Sequence, residues 1–263
     1  MDGSCADSDK ITRKLYYWRI IATGFSFALF KAGGILLAVI VLPLMNLLPG
    51  SGLVRTRRAR KTVHLCFRLF IQFMRFLGIL TYEVENEAYL NRPGPLIVAN
   101  HPTLLDIVFL IALVRDANCI VKHALITNPF SFGPPRSVGY ISNRDSEKMI
   151  NDCAAALKNG ETIIIFPEGT RSGNRLGKFQ RGAAHIAIKA DVDITPVVIK
   201  CNPPTLSKTG KWYQVPDRKF HVSIKVDEDM EITECMHPGL APSIAARRIT
   251  DMLFKYYAGR LYV

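Results

Sequence analysis

The pattern of apolar and polar positions changes character near residue 80. From Ile20 to Leu48 the chain carries one charge, Lys31. Gly33-Gly34 interrupts this stretch and Pro43 lies near its end. The part after the lysine, Ala32–Leu48, has 17 residues, at the short limit for a helix that needs about 20 to cross a bilayer. A second apolar stretch, Thr62–Leu80, places His64, Arg68, Gln72 and Arg75 at helical spacing, which predicts one polar stripe on an otherwise apolar helix. Such a helix suits the membrane interface.

Beyond Tyr82 short apolar runs alternate with helical patterns. The runs that predict strands are Pro95–Ala99, Cys119–Val121, Thr162–Phe166, Thr195–Ile199 and His221–Val226. Predicted helices span Asp106–Val114, Ser146–Lys158, Gly182–Lys189 and Pro242–Tyr257. The second follows Asp145, a good N-cap, and ends near Gly160. Strands alternating with helices imply an α/β fold, its mostly parallel or mixed sheet flanked by helices. The expected organisation is an N-terminal helical membrane anchor over 1–80 and an α/β domain over 81–263. Residues 202–219, with three prolines and several cations, read as a surface loop.

Charge narrows the partners. With 34 Lys+Arg against 22 Asp+Glu the net charge is +12, and a basic surplus points to anionic lipid, nucleic acid or a phosphorylated substrate. No recognised nucleic-acid module is present, and much of the charge flanks the apolar stretches, which favours lipid. Lys10, Arg13, Lys14 and Arg19 precede the first stretch; Arg55, Arg57, Arg58, Arg60 and Lys61 follow it. This near balance leaves two readings, a tilted span or a re-entrant hairpin broken at the glycines. It tips toward the hairpin, with both ends cytoplasmic. No cleavage-site pattern follows the stretch, so no cleaved signal is expected. The six cysteines are scattered, which predicts reduced thiols, several of them core residues, and no metal motif.

Two clusters carry candidate chemistry. His101 and Asp106, in NHPTLLD, follow a predicted strand; a turn histidine held by a carboxylate can serve as a base on a substrate hydroxyl. FPEGTRS follows another strand and supplies Glu168, Gly169, Thr170 and Arg171, of which arginine suits an oxyanion. GYISNR adds Gly139, which permits close backbone approach, and Arg144. ITPVVI is a buried-looking strand containing Pro196. Strand ends are where α/β folds place their sites.

In order and spacing these four blocks resemble the lysophospholipid acyltransferase family, typified by 1-acylglycerol-3-phosphate acyltransferases, over roughly residues 80–200. Lys122, Pro129-Phe130, Gly133 and Phe179–Gly182 also fit. The resemblance implies that His101 is the general base and Asp106 its orienting partner. It implies that Glu168, Gly169, Thr170 and Arg171 bind the acceptor, with Arg171 on its phosphate, Arg144 and Gly139 assisting, and Pro196 shaping a pocket. It implies direct transfer from an acyl-CoA or acyl carrier protein thioester to a lysophospholipid, with no metal or bound cofactor, at the cytoplasmic face of a membrane (the inner membrane in a bacterium). Pro102, Gln180 and the long basic 202–219 loop depart from the family's common pattern and leave the acceptor open, a lyso-ornithine lipid being one alternative. A non-catalytic lipid-binding protein on the same fold is the other.

Overall fold

A computed structural model describes residues 3–124, 138–172, 175–208, 210–237 and 239–261, with side chains from Leu15 onward. Seven strands form one sheet: β1 (Leu80–Glu85), β2 (Leu96–Ala99), β3 (Ala117–Val121), β4 (Ile141–Ser142), β5 (Thr162–Ile165), β6 (Ile194–Asn202) and β7 (Phe220–Val226). Their order is β1-β7-β6-β2-β5-β3-β4. The β6–β7 pair is antiparallel and every other pair is parallel, so β1 and β7 run against the remaining five. The carboxyl ends of β2, β3, β4, β5 and β6 therefore share one edge.

Strand alternation divides the interior into two cores. Ile97 and Ala99 of β2, Ile164 of β5 and Val197 and Ile199 of β6 point to one face, while Leu96, Val98, Ile163 and Val198 point to the other. α5 (Ser146–Lys158), α6 (Gly182–Ala190) and α7 (Pro242–Leu261) cover the second face. The first face is covered by α4 (Asp106–Leu113) and by the N-terminal helices. Tyr257 ties α7 to the sheet: its buried hydroxyl donates to Val98 O at 2.6 Å and accepts from Val197 N at 3.2 Å.

All five predicted strands and four predicted helices are present, with small shifts at their ends. The pattern missed β1 and β4. β1 lies at the sheet edge, half-exposed, and its leucine had been absorbed into the preceding apolar stretch. β4 has two residues, too few for any periodicity.

The N-terminal region differs more. α1 (Gly3–Leu36) runs straight through Gly33-Gly34, passes into a π-helical turn at Leu37–Val41 and continues as α2 (Leu42–Asn46). The expected break at the glycines is corrected: a helix-interior glycine costs only about 1 kcal/mol against alanine, too little to end a long helix. The chain reverses instead at 47–51, and α3 (Gly52–Phe76) returns beside α1. Phe25 meets Phe73 at 5.9 Å, and Phe30 meets Phe67 and Phe70 at 5.6 and 4.9 Å.

Leu15–Asn46 is long and apolar enough to cross a membrane; its most apolar 18-residue window has a mean hydropathy of 2.3, with only 6% of it buried. Leu65, Leu69 and Phe76 of α3 are exposed as well. The predicted polar stripe on α3 runs along the border of the sheet layer, with Arg68, Gln72 and Arg75 exposed. His64 is buried, its Nδ1 2.9 Å from Ile111 O; Gln72 donates to the Tyr82 hydroxyl, and Arg75 lies over the Tyr82 ring.

Not all of the flanking charge faces outward. Arg60 is buried, bonds Glu161 Oε2 at 2.7 Å, Asp116 Oδ1 at 3.3 Å and Val138 O at 2.9 Å, and pins α3 to the sheet. Arg57 also pairs with Asp116. One cation on each side of the apolar stretch is thus buried inside the protein, Arg19 before it and Arg60 after it, and the near balance of flanking charge persists.

Candidate active site

The site is assembled at the shared carboxyl edge. At the end of β2 the Asn100 side chain pairs with both backbone groups of Ile199 on β6, at 2.7 and 2.8 Å, which fixes where the chain leaves the sheet. His101 follows. Thr103 then precedes α4 in a T-x-x-D turn that makes half of a capping box, the Asp106 side chain reaching back to the Thr103 N–H. Its Oγ1 accepts from Leu105 N at 3.1 Å, and Asp106 Oδ2 accepts from Thr103 N at 2.7 Å. Thr103 Oγ1 donates to Asp106 Oδ1 at 2.5 Å. The turn holds a carboxylate beside the histidine: His101 Nδ1 lies 2.8 Å from Asp106 Oδ2.

Asp106 is fully buried, and burial pushes its carboxyl above the ordinary range, opposed by the hydrogen bonds from His101 and Thr103. The imidazole stacks on Phe166 at 4.2 Å between ring centroids and keeps 17% of its side chain exposed. With Nδ1–H donated to the carboxylate, Nε2 is the nitrogen able to accept a proton.

The FPEGTRS loop after β5 is knitted to this turn. Glu168 is buried; Oε1 accepts from His101 N at 2.8 Å and Oε2 from Gly177 N at 2.7 Å. Ser172 N donates to His101 O at 3.1 Å. Gly169 turns the loop at φ +65°, in the left-handed region that favours glycine, and Thr170 beside it is half-buried. Glu168 thus braces the backbone around His101 with both carboxylate oxygens. Arg171 Nη1 donates to Leu206 O at 3.0 Å and Ser207 O at 3.3 Å, which orients its guanidinium at the same edge.

The other candidates are placed differently. Arg144 follows β4 on this edge, exposed and without a side-chain partner among the described residues. Gly139, at φ +68°, lies against α3, where an added Cβ would meet Thr56 Cγ2 at 3.0 Å. Pro196 is buried in β6 and lines neither apolar cavity described below. Pro129-Phe130 and Gly133 lie outside the described residues.

Residues 81–200 match the family model described as Acyltransferase. The chain is 31% identical over 140 residues to a chloroplastic 1-acyl-sn-glycerol-3-phosphate acyltransferase of Arabidopsis thaliana, covering 49% of this chain and 37% of that protein. It is 32% identical over 132 residues to the 1-acyl-sn-glycerol-3-phosphate acyltransferase of Helicobacter pylori, covering 47% of this chain and 56% of that one. The matches span about a third to a half of the length of the first curated relatives. The crystal structure of the 1-acyl-sn-glycerophosphate acyltransferase of Thermotoga maritima superposes with a TM-score of 0.64 at 22% identity, covering 93% of this chain and 97% of that one, a likeness of fold.

Two apolar cavities lie beneath the N-terminal helices, and the first reaches the turn that follows His101. One, of about 150 Å³, lies among α1, α3 and α4 and reaches Leu104, Leu105 and Leu206. The other, of about 400 Å³, lies between α1 and α3. Phe30, Phe67, Phe70 and Tyr140 line both. Reading the sequence missed Asn100 and Thr103. The T-x-x-D spacing of a capping box was the available signal for Thr103. Asn100 had none, because its partner lies 99 residues away.

Proposed function

We propose that the protein is a 1-acylglycerol-3-phosphate O-acyltransferase of phospholipid biosynthesis. The observation that carries this reading is the His101–Asp106 pair, 2.8 Å apart, beside an apolar cavity under the apolar N-terminal helices. Nε2 of His101 takes the proton of the acceptor hydroxyl as its oxygen attacks the thioester carbonyl. The tetrahedral intermediate collapses, the C–S bond breaks, and the imidazolium returns the proton to the leaving thiolate. Asp106 stabilises the imidazolium between these steps.

Arg171 binds the acceptor phosphate, with Arg144 assisting from the neighbouring strand end. Glu168, Gly169 and Thr170 shape the turn that presents the arginine. The cavities take acyl chain, where each buried methylene contributes about 0.8 kcal/mol. The donor is acyl-CoA or acyl carrier protein, a co-substrate, and the reaction calls for no metal or bound cofactor. The site opens at the cytoplasmic face, where donors of both kinds are soluble.

The test is transfer from acyl-CoA and from acyl carrier protein to a panel of lysolipids, using purified protein in nonionic detergent. Phosphatidate from lysophosphatidate is the expected product, and His101→Ala should lower kcat by about 10²–10⁴-fold. Activity on another acceptor with none on lysophosphatidate would overturn the substrate. Undiminished activity in His101→Ala would overturn the mechanism.

A further inference from the structure

The basic loop between β6 and β7 is more than the surface connection its sequence suggested. Thr205 and Leu206 are buried, and the loop packs on α1. Leu206 has a left-handed backbone at φ +51°, rare for a branched side chain, and its carbonyl accepts from both Leu104 N, at 3.2 Å, and Arg171. Further along, Arg19 of α1 donates to the carbonyls of Pro216 and Asp217. The Trp212 ring lies edge-on to Phe27 at 6.3 Å and so close to Gly24 that an added Cβ there would stand 3.1 Å from the indole. The loop is held at both ends, to the site and to the apolar helix.

What it presents outward is unusual for a solvated loop. Trp212 and Tyr213 are 49% and 45% exposed. Residues 203–219 contain four cations and one carboxylate. None of the four joins an ion pair among the described residues; Lys211 instead lies over the Tyr213 ring at 5.6 Å. Ile21 and Phe25, on either side of Gly24 along α1, are 65% and 57% exposed. The aromatic tip therefore stands level with the lipid-facing stripe of α1. Tryptophan and tyrosine favour the headgroup layer, and lysine and arginine beside them favour anionic lipid.

We infer that Lys208, Lys211, Trp212 and Tyr213, with Arg218 and Lys219, form a second membrane contact that docks on the anionic headgroups of a bilayer. The contact fixes the height of the site's rim against the membrane, because Arg171 hangs from carbonyls of the same loop. This rests on the reading of Leu15–Asn46 as a bilayer segment and not on acyl transfer.

The chain has two tryptophans, Trp18 and Trp212, so two single-tryptophan proteins test the inference. Full-length Trp18→Phe and Trp212→Phe proteins are reconstituted in phosphatidylcholine bilayers containing phosphatidylglycerol brominated on its upper acyl carbons. Trp212 emission should be quenched. Replacing Lys208, Lys211 and Lys219 by Gln should lower the apparent preference for the anionic lipid by about fivefold per charge removed. Quenching of Trp18 but not of Trp212 overturns the docking loop and leaves the helix reading standing. Quenching of neither overturns both. Quenching of Trp212 that the glutamine variant leaves unchanged overturns the anionic partner.

Discussion

Replacing Asp106 by Asn separates charge from shape at the centre of the site. Asp106 Oδ2 accepts from His101 Nδ1 at 2.8 Å and from Thr103 N at 2.7 Å, while Oδ1 accepts from Thr103 Oγ1 at 2.5 Å. An amide with its oxygen at the Oδ2 position keeps both N–H bonds. Its NH₂ can donate to the threonine hydroxyl, which turns its own hydrogen away. The histidine tautomer is preserved and only the negative charge is lost. That charge matters when His101 becomes an imidazolium. Two unit charges 4 Å apart interact by about 4 kcal/mol at an effective dielectric of 20, and the amide dipole restores part of this. The expected effect of Asp106→Asn is a fall of about 10²–10³-fold in kcat, with KM changed by less than about twofold.

Stability should move the other way. Burial raises the folded-state pKa of Asp106 above its unfolded value, so the folded state holds the proton more tightly. That contribution is present below the unfolded pKa and is lost as pH rises through the folded one. At neutral pH the buried charge is a cost that Asn removes. Melting of Asp106→Asn should be no lower than that of the parent at neutral pH, and the difference should shift toward the variant as pH rises from about 4. Steady-state kinetics and thermal unfolding in the same detergent check both halves. A variant that keeps a third or more of the parental kcat would refute the imidazolium step. A variant that is inactive because it unfolds would refute the hydrogen-bond accounting.

Arg60→Met should destabilise the protein by about 3–5 kcal/mol, because it leaves Glu161 charged and largely buried; adding Glu161→Gln should recover much of the loss in thermal or denaturant unfolding. Tyr140→Phe should be neutral or stabilising, since the buried hydroxyl has no partner among the described residues, and a loss above about 1 kcal/mol would show that it is satisfied. Glu168→Gln must turn an NH₂ toward the backbone N–H of either His101 or Gly177, so a loss of about 1–3 kcal/mol should accompany reduced kcat, whereas a change confined to acceptor KM would point to direct substrate contact.

Local signals carried much of this protein. Period-two and period-3.6 patterns located the main strands and helices, because strands buried on both faces and capped helices leave marks within a few residues. The His101–Asp106 spacing was legible for the same reason: one short turn, bridged by Thr103, fixes it. Even so, the spacing by itself was a weak signal, and its weight came from following a strand.

Tertiary structure decided what depends on partners distant in sequence. That Arg60 is neutralised, that Glu168 braces the backbone at His101, that Pro196 lies in the core and that the 202–219 loop straps α1 to Arg171 all involve contacts between elements far apart along the chain. Composition counts such residues by type and cannot see what faces them. The sequence by itself determined the elements, the chemistry available at two strand ends and the apolar lead-in. Only the packed sheet brought those strand ends to one edge, because strand order and direction are settled by which faces can be buried together.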